Sequence, residues 1–164
     1  MLVSTKGRYA LRVMIELARR SDGSFVRLDS IAEAQDISEK YLESIVSVLV
    51  KHHLIEGLRG RGGGYRLTRK PSEYPIGEIL RCAEGSLAPV SCLSCDTNTC
   101  ARADVCTTLP MWKKLDGIIE NYLDGVTLED LLGECSSHGA DGVSESGTGS
   151  DEKENTCKTA QTEE

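Results

Sequence analysis

The segment Leu54–Leu67 reads LIEGLRGRGGGYRL, and this stretch decides the expected fold. The composition of Leu54–Leu58 predicts a strand, and Tyr65–Leu67 is the expected returning strand. The turn between them, Arg59–Gly64, carries four glycines in five positions, which permits positive φ angles and close approach of another backbone. The sequence therefore predicts a β-hairpin whose tip presents two arginines that have no core to enter.

Two helices joined by a very short turn are predicted just before this hairpin. Their apolar spacing indicates a first helix over Leu28–Gln35 and a longer one over about Glu39–His52. Ser38 is the expected N-cap of the second helix, because its hydroxyl can accept from the first turn. Such a pair is typical of a helix-turn-helix, although an ordinary helical hairpin has the same periodicity. Since a basic hairpin follows directly, the order favours a winged helix-turn-helix over a merely flexible hairpin with solvated arginines.

The remaining periodic segments predict helices on both sides of this unit. They are Thr5–Arg19, Ile76–Ala83, Thr108–Gly125 and a short terminal helix capped by Thr127, while Phe25-Val26 is expected to add an edge strand. The long later helix carries an apolar stripe made of Trp112, Leu115, Ile118, Ile119, Tyr122 and Val126. Pairing with the same helix of a second subunit would bury this stripe in a homodimer, and packing back on its own domain is the alternative.

The expected fold class is mainly α with a small β-wing. We predict a winged helix-turn-helix domain over residues 1–84, a cysteine-rich loop over 85–107, a dimerisation helix and short C-terminal helix over 108–133, and a disordered acidic tail over 134–164. The formal net charge is −7, but residues 1–75 carry 13 Lys and Arg against 9 Asp and Glu. A basic N-terminal part followed by an acidic remainder is typical of a chain with an N-terminal DNA-binding domain.

Four of the seven cysteines lie between Cys92 and Cys106, in the sequence CLSCDTNTCARADVC. The first helix is interrupted by charged residues, unlike an export signal, and no apolar run is long enough to span a bilayer. We therefore expect a cytoplasmic protein, in which clustered cysteines are metal ligands or redox thiols rather than structural disulfides. On spacing alone, the four could hold zinc tetrahedrally, or Cys92 and Cys95 could form a reversible disulfide.

Four short motifs carry a resemblance to a known family. They are STKGRYALR at Ser4–Arg12, ISEKYLE at Ile37–Glu43, RGRGGGY at Arg59–Tyr65 and TLEDL at Thr127–Leu131. Together they resemble the Rrf-type (BadM-type) bacterial transcriptional regulators, which include the iron–sulfur types IscR, NsrR and RirA and the cysteine-metabolism type CymR. The resemblance spans about Met1–Gly133. It implies homodimeric winged-helix proteins that bind partly palindromic double-stranded DNA, with the long helix after the cysteine loop forming the dimer.

The resemblance also implies how the DNA is read. The helix that begins near Ser38 enters the major groove, and the wing arginines suit the minor groove and its flanking phosphates. The implied DNA-binding residues are Arg8, Ser38, Lys40, Tyr41, Glu43, Ser44, Arg59, Gly60 and Arg61. Glu43 could accept from a cytosine amino group, and Tyr41 could instead belong to the core.

An iron–sulfur cluster, 2Fe–2S or 4Fe–4S, is the cofactor that the resemblance implies. The best-matching ligand triple is Cys92, Cys100 and Cys106, with Cys95 as the candidate fourth ligand. Cys95 could instead replace Cys92 or be a bystander, in which case the fourth ligand position would be open or filled from outside the chain. The chain departs from two family types at the fourth-ligand position. Leu109 stands where the IscR type has a histidine, and Arg8 stands where the NsrR type has an aspartate. The cysteine spacing is most similar to the RirA type.

The implied function is a repressor whose DNA binding is controlled by the cluster and which senses iron or cluster status, redox state or nitric oxide. Two alternatives keep the same fold: a CymR-like regulator of cysteine metabolism, and a zinc or thiol-switch regulator. A third alternative is an iron–sulfur or zinc protein without a DNA role, against which the basic wing argues. No nucleophile or carboxylate arrangement accompanies His52 and His53, so an enzyme is not expected.

Overall fold

The helices and strands follow the predicted order. The computed structural model describes residues 3–20, 23–95 and 100–137. The regular elements are α1 (Thr5–Arg19), α2 (Leu28–Gln35), α3 (Glu39–Lys51), β1 (Ile55–Leu58), β2 (Gly64–Leu67), α4 (Ile76–Glu84), α5 (Leu109–Gly125) and α6 (Leu128–Ser137). The prediction of a mainly α fold with a small β-wing is confirmed. Within the described ranges, no helix is long and apolar enough to cross a membrane.

The turn between α2 and α3 is held by a cap at the end of α2. Asp36 adopts a left-handed backbone conformation (φ 52°), and the N–H of Ile37 donates to the carbonyl of Ala32 at 3.1 Å. Aspartate tolerates this conformation because its short polar side chain can hydrogen-bond locally. The side chain of Ile37 is buried, which anchors the turn to the core. Ser38 then occupies the N-cap position of α3, but its hydroxyl accepts no hydrogen bond from the fully described first turn, so the predicted capping contact is wrong.

The wing is an antiparallel hairpin with a third, very short strand beside it. β1 and β2 pair with Ile55 opposite Leu67, Glu56 opposite Arg66, Gly57 opposite Tyr65 and Leu58 opposite Gly64. Val26 exchanges two backbone hydrogen bonds with Tyr65, at 2.9 and 2.8 Å, so the expected edge strand is confirmed at Val26. Gly60 and Gly62 have positive φ angles of 97° and 82°, and a Cβ on Gly64 would collide with the Val26 carbonyl. The glycines are therefore needed both for the tip and for this strand contact.

One apolar core joins α1, α2, α3, α4 and α6. Its fully buried side chains include Met14, Ile31, Leu42, Ile45, Leu49, Ile79 and Leu128. Burial contributes about 1.5–3 kcal/mol for each large aliphatic side chain, before the entropy cost of ordering is subtracted. This core fixes α3 against α1 and α2 and leaves the opposite face of α3 in solvent.

The side chain of Glu84, the last residue of α4, caps the beginning of α1. One carboxylate oxygen accepts hydrogen bonds from the N–H of Ser4 (2.9 Å), the hydroxyl of Ser4 (2.8 Å) and the N–H of Gly7 (3.1 Å). A Cβ at Gly7 would collide with this carboxylate. Negative charge is favourable at a helix N-terminus, where backbone N–H groups lack partners. The start of α1 is therefore fastened to the point where the chain enters the cysteine loop.

α5 lies outside the core for most of its length. None of its 17 residues, all of which are described, is buried. The predicted apolar stripe is divided between two sides of the helix. Its inner side is half-buried and contains Trp112, Ile119, Leu123 and, just after the helix, Val126. The other side, called here the exposed α5 face, consists of Met111, Leu115, Ile118 and Tyr122, which are 54, 38, 56 and 69% exposed.

The terminal helix α6 is longer than predicted. Thr127 caps it as expected: its N–H donates to a carboxylate oxygen of Asp130 at 2.8 Å, and its hydroxyl accepts from the N–H of Asp130 at 3.2 Å. The helix continues past Gly133 to Ser137, so it enters the segment predicted to be disordered. The rest of that predicted tail, residues 138–164, lies outside the described residues.

Candidate functional site

The outer face of α3 presents most of the predicted base-reading residues to solvent. Ser38, Lys40, Glu43 and Ser44 are exposed, whereas Tyr41 is half-buried. The Tyr41 ring meets the ring of Tyr9 edge-on, with centroids 5.8 Å apart, and packs against the core. Ser44 donates its hydroxyl hydrogen to the Tyr41 carbonyl at 2.7 Å, which leaves that hydroxyl mainly as an acceptor. Tyr41 is thus partly a core residue, the alternative that its sequence pattern left open.

The positive charge of the wing is unpaired at its tip and paired at its root. Arg59 and Arg61 are exposed and, within the described part of the chain, meet no carboxylate at salt-bridge distance. By contrast, Arg66 on the stem of the wing pairs with Glu56 across the strands at 2.5 Å, and Arg69 pairs with Glu78 of α4 at 2.8 Å. The charge available to an anionic partner is therefore concentrated at the tip.

A cleft of about 530 Å³ lies between α3 and the wing. Its lining includes Arg27, Asp29, Glu39, Glu43, Ser47 and Arg59. Arg27 donates to Asp29 at 2.6 Å, and this hydrogen bond lowers the pKa of the Asp29 carboxyl. Arg27, Glu39 and Ser47 were not among the site residues predicted from the sequence. The four-residue spacing from Glu39 through Glu43 to Ser47 is a signal that could have found two of them.

Arg8 lies on the first turn of α1 and is not among the residues that line the cleft. Its side chain is exposed, and a guanidinium nitrogen donates to the Thr5 hydroxyl at 3.3 Å. No carboxylate among the described residues pairs with it. Its exposed guanidinium is therefore available to an anionic partner.

The cysteine loop consists of two short 3₁₀ turns on either side of residues 96–99, which are not among those described. Cys92 lies in the first turn, Ser91–Leu93, and Cys106 follows the second, Ala103–Val105. Cys92 and Cys106 are half-buried, and Cys95 and Cys100 are exposed. The cysteines therefore occupy both ends of the loop and remain accessible to a ligand.

The surroundings of Cys106 favour ionisation of its thiol. Its sulfur lies 3.4 Å from the hydroxyl of Thr108, at the beginning of α5. That hydrogen bond, together with the N–H groups of Thr108 and Leu109, lowers the pKa of the Cys106 thiol. Burial instead raises the pKa of Cys82, a half-buried cysteine on α4 outside the loop. Because the thiolate is the metal-binding form, Cys106 is the better-prepared ligand of the two.

The loop cysteines do not form a finished metal site. Over the described residues, no group of three or more His, Cys, Asp or Glu side chains is arranged to hold a metal ion. Their donor chemistry nevertheless fits an iron–sulfur cluster or zinc, since thiolates are the usual ligands of both. Cys92, Cys95, Cys100 and Cys106 would have to converge when a metal binds.

Comparison with known proteins identifies close relatives of the whole described fold. The family model described as "Rrf2: Iron-dependent Transcriptional regulator" matches residues 3–134. The HTH-type transcriptional regulator CymR of Bacillus subtilis (strain 168) is 39% identical over 131 residues, which cover 80% of this chain and 89% of that protein. The solved structure of CymR, the global cysteine regulator of B. subtilis, matches with a TM-score of 0.67 and 36% identity, covering 82% of this chain and 98% of that one. The structure of T. potens IscR matches with a TM-score of 0.65 and 36% identity, covering 87% and 94%.

Proposed function

The chain belongs to the Rrf2 family of transcriptional regulators, and we propose that it binds an operator. We further propose that an iron–sulfur cluster on the loop cysteines controls this binding. The observation that carries the proposal is the position of these cysteines. Cys106 lies near the end of the loop, three residues before the start of α5, a helix with an uncovered apolar face. A change of ligand in the loop would therefore act on the helix that is suited to join two subunits.

The DNA-binding part of the proposal rests on the wing and the outer face of α3. The unpaired cations Arg59 and Arg61 suit phosphates and the minor groove, and Lys40 suits a phosphate or a guanine. Glu43 can accept a hydrogen from the exocyclic amine of cytosine. Arg8 would add a phosphate contact at the start of α1. Two such surfaces in a symmetric homodimer would read a partly palindromic duplex.

The homodimer is proposed from the exposed α5 face. A soluble monomer rarely leaves several large apolar side chains uncovered on one helix. A second copy of the same helix would cover them, and a two-fold axis would make the contact self-complementary.

The metal part of the proposal assigns Cys92, Cys100 and Cys106 as ligands, with Cys95 as the candidate fourth. A bound cluster supplies one-electron redox chemistry. The residues themselves provide the sulfur donors, and hydrogen bonds from the Thr108 side chain and from the backbone at the start of α5 lower the pKa of the Cys106 thiol, which favours the thiolate. Leu109 and Arg8 offer no donor for an iron atom, so this chain must complete the site differently from the IscR and NsrR types.

Anaerobic purification of the full-length protein tests the cluster. The expected protein is coloured and contains iron and acid-labile sulfide, and its affinity for a selected duplex changes when a chelator removes the iron. Cys106→Ala should lose iron, whereas the matched variant Cys82→Ala, outside the loop, should retain it. A colourless protein with stoichiometric zinc would establish the zinc alternative instead.

A CymR-like function is the second candidate, because CymR of B. subtilis shares 39% of its residues with this chain over the aligned region. A regulator of that kind would bind the same duplex without any metal. Full DNA affinity in metal-free protein, unchanged by reconstitution with iron and sulfide, would favour this candidate. An affinity that responds to oxidant only while Cys92 and Cys95 are both present would point to a thiol switch.

A further inference from the structure

One buried tyrosine holds the root of the wing. Tyr74 is 0% exposed, and its hydroxyl makes three hydrogen bonds to backbone groups. It donates to the carbonyl of Leu54 at 2.8 Å and accepts from the N–H groups of Thr68 at 2.9 Å and Arg69 at 2.8 Å. These backbone groups belong to the two chain segments that lead into and out of the wing.

The Tyr74 hydroxyl reinforces the pair of residues that follows the end of the β-ladder. Regular pairing of the two strands ends with Ile55 opposite Leu67. The next pair would join Leu54 and Thr68, but their direct N–H to carbonyl contact is long, at 3.5 Å. The hydroxyl lies between these segments and bonds to both. It therefore sets the separation of the strands at the point where the wing leaves the domain.

The same tyrosine is tied to the end of α5 through its backbone. The carbonyl of Tyr74 accepts from the N–H of Leu128 at 2.9 Å, and the N–H of Ile76 donates to the carbonyl of Val126 at 2.9 Å. Residues 126–128 connect α5 to α6. The Arg69 guanidinium also lies 4.4 Å from the centre of the Tyr74 ring. The wing root therefore meets the Tyr74 side chain, while the start of α4 and the end of α5 meet the backbone at Tyr74 and Ile76.

We propose that Tyr74 is the positioning residue that fixes the wing relative to α3 and couples it to the end of α5. The inference rests on the proposed DNA-binding function, because it concerns where Arg59 and Arg61 are held. A movement of α5, whether from its partner or from the cysteine loop, would reach the wing through this tyrosine. Without the hydroxyl, two N–H groups and one carbonyl at the wing root lose a buried partner, and the hairpin gains freedom to change its angle.

Tyr74→Phe removes the hydroxyl and keeps the ring. Affinity is measured in the full-length protein by fluorescence anisotropy, on a duplex that the wild-type protein selects from a random-sequence library. We expect the Kd of Tyr74→Phe to rise roughly three- to tenfold, less than on complete loss of a base-reading arginine. In the Arg59→Ala/Arg61→Ala background, the same substitution should have almost no further effect, because there is no wing contact left to misplace. The matched control is Ile79→Val, which lowers stability in the core of α4 and should leave affinity unchanged.

Hydrogen exchange without DNA provides a second measurement. In Tyr74→Phe, amides of residues 55–67 and 126–128 should exchange faster together, while those of α1 keep their wild-type rates. Wild-type exchange in the wing would overturn the inference, as would an equal loss of affinity in both arginine backgrounds. If the wild-type protein selects no duplex while exchange changes as expected, the proposed DNA-binding function fails and the coupling through Tyr74 stands.

Discussion

Replacing Arg59 by alanine is the most direct test of the wing as a DNA contact. The side chain is exposed and makes no hydrogen bond or ion pair with a described residue, so its removal should not disturb the fold. No carboxylate of residues 3–20, 23–95 or 100–137 pairs with it, so its charge is available to DNA. Loss of an arginine that reads a groove costs about 1–3 kcal/mol, which raises Kd roughly five- to 150-fold. If Arg59 also neutralises one phosphate, the slope of log K against log salt should become shallower by about 0.9.

The assay is fluorescence anisotropy over a series of salt concentrations, with the selected duplex and a scrambled duplex. Arg66→Ala is the matched control, because this arginine belongs to the same hairpin but is paired with Glu56 and stacked 4.5 Å from the centre of the Phe25 ring. Arg66→Ala should lower the melting temperature and change the salt slope little. Wild-type affinity and slope in Arg59→Ala, or an equally large loss of affinity in Arg66→Ala, would refute the distinction between free and paired arginines.

Three further predictions test the fold and the dimer. Ile118→Glu places a charge on the exposed α5 face and should give folded monomers in analytical ultracentrifugation; an intact dimer would show that this face is not the interface. Gly64→Ala forces a methyl group against the neighbouring strand and should lower the free energy of unfolding by about 1–3 kcal/mol, whereas Gly125→Ala, which has open space, should not. Asp130 has its pKa lowered by hydrogen bonds from the backbone and side chain of Thr127. Its stabilising effect is therefore complete above the ordinary Asp pKa of about 3.9 and is lost as pH falls through the lower folded-state pKa, so Asp130→Asn should flatten the acid limb of thermal stability.

The sequence predicted the bounds of helices and strands correctly where a periodic apolar pattern ends at a turn signal. The bounds of α1 and α2 match the prediction, and α3, β1 and β2 differ from it by one residue at one end. The wing was predictable because glycines at Gly60 and Gly62 are required by positive φ angles, which leave a clear compositional mark. The same applies to Thr127, whose cap follows from a short motif.

The spacing of apolar residues could not predict which side chains contact each other in the folded chain. The apolar stripe of α5 covers two sides of the helix, and spacing alone does not say which side faces its own domain. α6 continues past Gly133 because glycine weakens a helix without ending it, and the preceding turns are anchored by Leu128 and Leu131 in the core. Tyr74 stands alone between two prolines, so no repeating pattern marks its role. The spacing of the cysteines identifies thiol donors but not whether they converge.

The capping of α1 by Glu84 bears on how such a protein can change over evolution. The cysteine loop begins after Glu84, whose carboxylate is hydrogen-bonded to Ser4 and Gly7. Near the end of the loop, the sulfur of Cys106 contacts the hydroxyl of Thr108. Both ends of the loop are thus anchored on helices independently of what lies between them. Leu87 near the start of the loop is buried in the core, so insertions, deletions and exchanged side chains should be tolerated only within residues 91–105. Within that range the loop can diverge, by natural selection or by design, while the winged helix-turn-helix keeps its fold.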